Sequence, residues 1–272
     1  MKKLDVPDKE VLHELYVEKE LSMSKIATIF NTSAMTVRAW LRNRGIISKV
    51  SNINVYHELR NTDFSDTQKK LLIGSVLGDG GLRVPKRGKN ACFYERHCED
   101  QRMYLEWKRD LLMPFVRRKL DKEVGGEHTI SGTPCVVQDS YKLITVSNVF
   151  LTELWRKFYD GNRNKILAYD IDKHFDDFVL AVWICDDGCL TWKKRHYKLD
   201  LHTENFTYEE NLRIKRMLSN FFDGKIYVYD RKYKSGLKNY ITMSGKQEVH
   251  NLCQRLIEKV PNCMRYKFNT HI

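Results

Sequence analysis

The sequence predicts an α+β protein built as two pseudo-symmetric αββαββα halves, preceded by a small helical module. Two observations carry this. Two apolar segments about a hundred residues apart, 71–82 (LLIGSVLGDGGL) and 180–190 (LAVWICDDGCL), end alike, in Asp79-Gly80 and Asp187-Gly188. Downstream of each, helical and strand periodicities recur in one order, and a repeat this long fits a duplicated domain better than a solenoid. The divisions read as a helix-turn-helix module over 1–46, a linker over 47–65, and halves over 66–170 and 171–272.

The 272 residues suffice for one large domain or two, and 42% apolar residues are ample for a core. A net charge of +12, spread along the chain, makes nucleic acid the leading partner class. Seven Cys at irregular spacings, without a CxxC pair, argue against a zinc knuckle. They fit reduced thiols in an intracellular setting, such as a bacterial or phage-infected cytoplasm or an organelle. The N-terminus lacks a signal-peptide pattern, the initial Met disfavours an intein, and no run of 18 apolar residues occurs.

In the N-terminal module, Val11, Leu12, Leu15 and Tyr16 have helical spacing. Residues 21–24 break that pattern, and Ser24 is the expected cap of a short helix over 25–30. Asn31-Thr32-Ser33 reads as a tight turn, and 34–45 as a second helix closed by Gly45. Two short helices across such a turn match the helix-turn-helix pattern, and Ile26, Ala27, Val37, Trp40 and Leu41 match its buried positions. The outward face would carry Met35, Thr36, Arg38 and Arg42, suited to base edges or phosphates.

The first half reads as an apolar helix over 66–78, a basic hairpin over 81–97 and an amphipathic helix over 99–119. Two strands ending in 140–148 and a helix over 150–159 complete it. The second half repeats the order: helix 176–186, hairpin 189–204, helix 206–222, strands 225–231 and 238–244, and helix 246–259. Alternation turns Leu199, Leu201, Ile226, Val228, Ile241 and Met243 inward. It leaves Lys198, Asp200, His202, Tyr227, Tyr229, Arg231, Lys238, Tyr240 and Thr242 outside, a face suited to phosphate and base contact.

An apolar helix that stops at a carboxylate is a costly way to place a charge unless a cation or phosphate awaits it. Residues 72–80 (LIGSVLGDG) and 180–188 (LAVWICDDG) resemble the nine-letter motif of the LAGLIDADG homing endonucleases, in their single-chain, two-motif form. The resemblance covers roughly residues 66–270 and extends to ERHCEDQRMYLEWK, LHTENFTYEE and NCMRYKF. The chain departs from the motif at Leu77, at Val182 where Gly is usual, and at Cys185 where the first Asp is usual.

The resemblance implies a DNA-binding saddle with the motif helices side by side on a pseudo-twofold axis. Gly74 would allow close approach there, while Val182 implies a looser contact or compensation by Ala181. Asp79 and Asp187 would meet and bind divalent ions, with Gly78 and Asp186 joining the ligand set. Oxygen donors suit Mg²⁺, with Mn²⁺ able to substitute. The implied activity is site-specific cleavage of a long asymmetric double-stranded DNA target by a monomer in intron homing, leaving short 3′ overhangs. Lys165 and Lys267 would be the basic residue of each half, at similar offsets from Asp79 (79 to 165) and Asp187 (187 to 267). His97 and Glu204 would order water at equivalent strand ends, leaving the half-sites unequal. DNA contacts would come from Arg83, Lys86, Arg87 and Arg96 in one sheet, and from Lys193, Lys198, Tyr229, Arg231 and Lys238 in the other. A maturase acting on intron RNA, or a cleavage-dead transcription regulator, would use the same fold. Retention of both carboxylates, each with a lysine, argues against the regulator.

Overall fold

The computed structural model describes residues 6–19, 21–46, 58–86, 88–117, 119–130, 133–193, 196–233 and 236–270. The chain divides into two compact units, residues 1–59 and 60–272. No helix among the described residues is long and apolar enough to cross a membrane.

The first unit contains α1 (Lys9–His13), continued by a π-helical turn over Glu14–Glu18, then α2 (Met23–Ile29) and α3 (Ala34–Asn43). Leu12, Tyr16, Ile26, Ala27, Val37, Trp40 and Leu41 form its core with Ile46. Val11, read as apolar-face, is instead exposed. The cap of α2 is Ser22 and not Ser24: the Ser22 hydroxyl accepts the Lys25 amide at 3.2 Å, which starts the helix two residues earlier. Ser33 caps α3 in the same way through Thr36. Gly45, at φ +66°, takes the left-handed turn beyond α3. Of the expected linker, residues 47–57 lie outside the described residues.

The second unit opens with α4 (Asp66–Leu77), β1 (Gly81–Arg83), β2 (Cys92–Cys98) and α5 (Arg102–Leu111). The first half continues through β3 (Asp121–Glu123), β4 (Gly126–Ile130), β5 (Thr133–Val137), β6 (Ser140–Ile144) and α6 (Val149–Phe158). The second half comprises α7 (Asp177–Asp187), β7 (Gly188–Lys193), β8 (His196–Leu201), α8 (Tyr208–Leu218), β9 (Lys225–Tyr233), β10 (Gly236–Ser244) and α9 (Lys246–Leu256). Two antiparallel four-stranded sheets result, ordered β1-β2-β6-β3 and β7-β8-β10-β9. The second sheet follows the expected pattern. The first half has four strands where two were expected between α5 and α6. The chain leaves the sheet after the short β3, makes the separate β4–β5 hairpin, and returns as β6. Asp139 fastens the base of that excursion, accepting from the Gly125 amide and pairing with Lys122.

Helix α5 also stops well short of residue 119. Pro114 cannot donate to the ladder, and Gln68 Nε2 donates instead to the Leu111 and Met113 carbonyls, at 2.9 Å each. The same Gln68 closes a capping box with Ser65 at the start of α4. Asp176 caps α7, accepting the Phe178 and Val179 amides at 2.9 Å. Helices α4 and α7 pack together and are buried over most of their length. Their contact is not loose. A Cβ at Gly74 would lie 2.8 Å from Val182 Cβ and 2.9 Å from the Val179 carbonyl, so Val182 fills the space that Gly74 leaves.

Candidate active site at the paired helix ends

The α4–α7 packing brings together the two acidic helix ends. Asp79 follows the last turn of α4 and is exposed, whereas Asp187 ends α7 half-buried. Burial, then the charges of Asp79 and Asp186, push the Asp187 carboxyl up to about 7. Lys165 Nζ donates to the carbonyls flanking Asp79, at 2.9 Å to Gly78 and 3.1 Å to Gly80. Lys267 Nζ donates to the Asp186 carbonyl at 3.1 Å. Burial lowers the Lys165 ammonium pKa, opposed by Asp187, Asp186 and Asp79. Each expected lysine thus sits on the carbonyl preceding its half's terminal carboxylate.

Gly78 and Asp186 differ in role. Any side chain on Gly78 would overlap Asp186. The Asp186 carboxylate turns away from solvent, accepting Tyr104 Oη at 2.7 Å and Lys108 Nζ at 2.9 and 3.1 Å. Lys108 is fully buried and also donates to Glu95 Oε1 at 2.7 Å. Burial holds the Asp186 carboxyl up at about 6 against the pull of Lys108. The surrounding carboxylates raise Lys108 despite its burial, and Lys108 and His97 lower Glu95 despite its own. The Asp186 carboxylate is thus engaged, and the oxygen it presents beside Asp187 is its backbone carbonyl, which accepts Lys267 Nζ.

His97 was expected to order water at a strand end. It is buried, with its ring nitrogens on Glu95 at 2.5 Å and Gln101 at 2.8 Å. His97 is also not the counterpart of Glu204. Phe93 faces Leu82 as Leu199 faces Leu190, so four residues further along His97 matches Thr203. Glu204 lies off the second sheet's core, held by His202 and Tyr233. Asp79, His97 and Asp186 could bring three ligand atoms within 4.8 Å of one another. Two of these groups are already committed to Glu95, Gln101, Lys108 and Tyr104. A second candidate donor set is all oxygen: the Asp79 and Asp187 carboxylates with the Gly78 and Asp186 carbonyls, the latter two accepting from Lys165 and Lys267 in this structure. Hard oxygen donors of this kind fit Mg²⁺ or Mn²⁺.

Glu95, Lys108 and Tyr104 escaped sequence reading. Alternation along β2 turns Phe93, Glu95 and His97 inward, and two ionisable groups on a core face are a signal in themselves. Glu95 Oε2 is buried without a partner and lines a 350 Å³ cleft with Asp79, Arg83, Tyr94, Arg96 and Lys142. A second cleft, 430 Å³ and lined in part by Lys69, Lys157 and His174, shares none of these residues.

The basic sheet residues divide. Arg83, Lys86, Lys193 and Lys238 are exposed, and the Arg83 guanidinium lies 5.1 Å from the Tyr94 ring centroid. Arg96 pairs with Glu123, and Arg231 reaches Glu204 and Tyr233. Arg87 lies outside the described residues. Asp200 and Thr242, expected on the free face, are buried. The Thr242 hydroxyl donates to Asp200 at 2.6 Å, and Lys198 closes over the pair at 2.7 Å. Tyr227, Tyr229 and Tyr240 form a ring ladder beside them, with successive centroids 5.5 and 6.0 Å apart. In the first unit, Met35, Arg38 and Arg42 are exposed and line a 660 Å³ groove, while the Thr36 hydroxyl pairs with Ser33 at 2.9 Å.

Residues 69–252 match the family model described as the LAGLIDADG DNA endonuclease family. The chain is 25% identical over 214 residues to the DNA endonuclease I-ChuI of Chlamydomonas applanata, covering 74% of this chain and 93% of that protein. It is 23% identical to the cytochrome b mRNA maturase bI2 of Saccharomyces cerevisiae, covering 74% of this chain and 47% of that one. Among solved structures, the homing endonuclease I-WcaI bound to its DNA recognition sequence matches with a TM-score of 0.66. The identity there is 22%, with 81% of this chain and 93% of that chain covered.

Proposed function

The chain belongs to the LAGLIDADG DNA endonuclease family, and from that premise we propose that it cuts a long asymmetric duplex as a metal-dependent, site-specific monomer. The two cuts lie on opposite strands and leave short 3′ overhangs. The observation that carries this reading is the meeting of Asp79 and Asp187 with a lysine docked on the carbonyl before each.

The Asp79 and Asp187 carboxylates and the Gly78 and Asp186 carbonyls would hold Mg²⁺, with Mn²⁺ substituting. Bound there, a divalent cation acidifies water and neutralises charge on the scissile phosphate. Lys165 and Lys267 release their carbonyls as DNA arrives and turn their ammonium groups to the phosphate, where charge develops. Arg83, Lys86, Lys193 and Lys238 contact phosphates and base edges along the two sheets, and the tyrosine ladder covers apolar base surface. Helix α3 of the N-terminal unit adds contacts through Arg38 and Arg42.

A cleavage selection on a random duplex library with Mg²⁺ tests this, with Asp79→Asn and Asp187→Asn alongside. Recovery of one long asymmetric site, cut by wild type and by neither variant, is the expected result; no cut duplex from wild type refutes it. The maturase relative supports a second reading, assistance to intron RNA splicing. Splicing that survives Asp79→Asn while duplex cleavage never occurs would favour it.

A further inference from the structure

The buried Glu95–Lys108 pair beside the site has no counterpart in the second half. Glu95 faces Leu143 across β2 and β6, as Leu201 faces Ile241 across β8 and β10. Ile214 follows Leu201 at the spacing at which Lys108 follows Glu95. Where the first half has an ion pair, the second has two fully buried aliphatic side chains. Asp186, in turn, has Gly78 as its counterpart in the repeat. A buried ion cluster adds little stability over well-packed apolar residues of similar volume, and the other half carries such residues at the positions of Glu95 and Lys108.

The cluster acts across the two halves. Lys108 and Tyr104, on α5 of the first half, fix both oxygens of Asp186 on α7 of the second. Asp186 Oδ2 in turn faces the Asp79 amide at 3.4 Å. Asp79 is flanked by the carbonyls on which Lys165 docks. Asp187 is held differently: it ends α7, and its carbonyl accepts the His202 amide at 3.1 Å, backbone to backbone.

We propose that Lys108 and Tyr104 act as positioning residues by fixing the Asp186 carboxylate, which holds the Asp79 backbone from the opposite half, so that this buried cluster controls one strand's cut and not the other's. The strand consequence rests on the nuclease reading. Disturbing the cluster shifts the Asp79 segment and the acceptors of Lys165 together, while the Asp187 carbonyl keeps the His202 amide and Lys267 keeps a backbone acceptor at residue 186 that no side-chain substitution removes.

The test compares wild type with Tyr104→Phe, which deletes one hydroxyl, and with the combined E95L/K108I/D186A. The latter gives the first half the second half's aliphatic pair and removes the Glu95, Lys108 and Asp186 charges together, leaving the His97 ring its bond to Gln101. In metal-free protein, amide hydrogen exchange at Asp79 should accelerate by about tenfold in the combined variant, and less in Tyr104→Phe, with Asp187 unchanged. On duplex labelled separately on each strand, the strand slowed by Lys165→Met should slow by about tenfold, with the other within about twofold. Unchanged exchange at Asp79, or equal slowing of both strands, overturns the proposal. A wild-type protein that cuts neither strand overturns the nuclease reading alone, because the exchange measurement still decides whether Asp79 is held this way.

Discussion

Lys165 and Gly78 stand 87 positions apart in the chain, yet the Lys165 ammonium donates to the Gly78 carbonyl at 2.9 Å. Lys267 repeats the relationship with Asp186 across 81 positions, at 3.1 Å. In each half a cation that folding has partly desolvated waits beside an acidic helix end. The repeat is kept at this point, whereas the Glu95–Lys108 pair directly behind it is replaced by Leu201 and Ile214 in the second half.

Each lysine should serve mainly one strand. Lys165→Met and Lys267→Met should each leave a nicked product, on opposite strands, with the affected strand slowed by about a hundredfold. Denaturing gels of strand-labelled duplex measure this. Equal loss on both strands in either variant would contradict the pairing of one lysine with each half.

Loss of either terminal carboxylate should remove cleavage and spare binding. Asp79→Asn and Asp187→Asn should each lower double-strand cleavage by more than about a thousandfold, with duplex affinity within about tenfold of wild type. Fluorescence anisotropy with and without Mg²⁺ separates the two effects.

The raised Asp187 pKa predicts a pH-dependent cost in the metal-free protein. The folded state keeps this proton up to about 7, whereas the unfolded chain releases it near the ordinary aspartate value of 3.8. The native state therefore binds more protons across that window, and stability contributed by Asp187 falls as pH rises through it. Asp187→Asn, which cannot ionise, should melt higher than wild type at pH 8. The gap should narrow steadily as pH falls toward 4, as thermal unfolding in chelator would record.

The close approach at Gly74 predicts a compensating pair. Gly74→Ala should destabilise the protein by about 1–3 kcal/mol through overpacking against Val182. Val182→Ala should recover part of that loss in the double variant, read as a coupling energy in urea unfolding.

Exposed charge should set the salt response of binding. Arg83→Ala or Lys238→Ala should each reduce the slope of log affinity against log salt by about 0.9 if it contacts a phosphate. Arg96, already paired with Glu123, should have a smaller effect.

Local pattern was enough to read the motif pair, the order of elements in the second half and the buried positions of α2 and α3, while the two lysines followed from the family resemblance with the repeat offset in support. Each depends on periodicity, a capping residue, or a repeat offset. The shortened α5 was legible too, since Pro114 stands in the sequence, although where Gln68 meets the freed carbonyls was not. The extra β4–β5 hairpin escaped because strand periodicity does not say whether two short strands join an existing sheet or leave it.

The remaining features required the halves to meet. Nothing near Asp186 in the chain separates a carboxylate facing a metal from one facing Lys108, because Lys108 and Tyr104 come from α5 of the other half. Asp200 and Thr242 follow the outward alternation and are nevertheless buried, because they bond to each other across adjacent strands under Lys198. Sequence periodicity reports which face of its own element a residue occupies. Which charge it meets there is set by long-range packing, and in this protein that packing decides which carboxylates remain free to act.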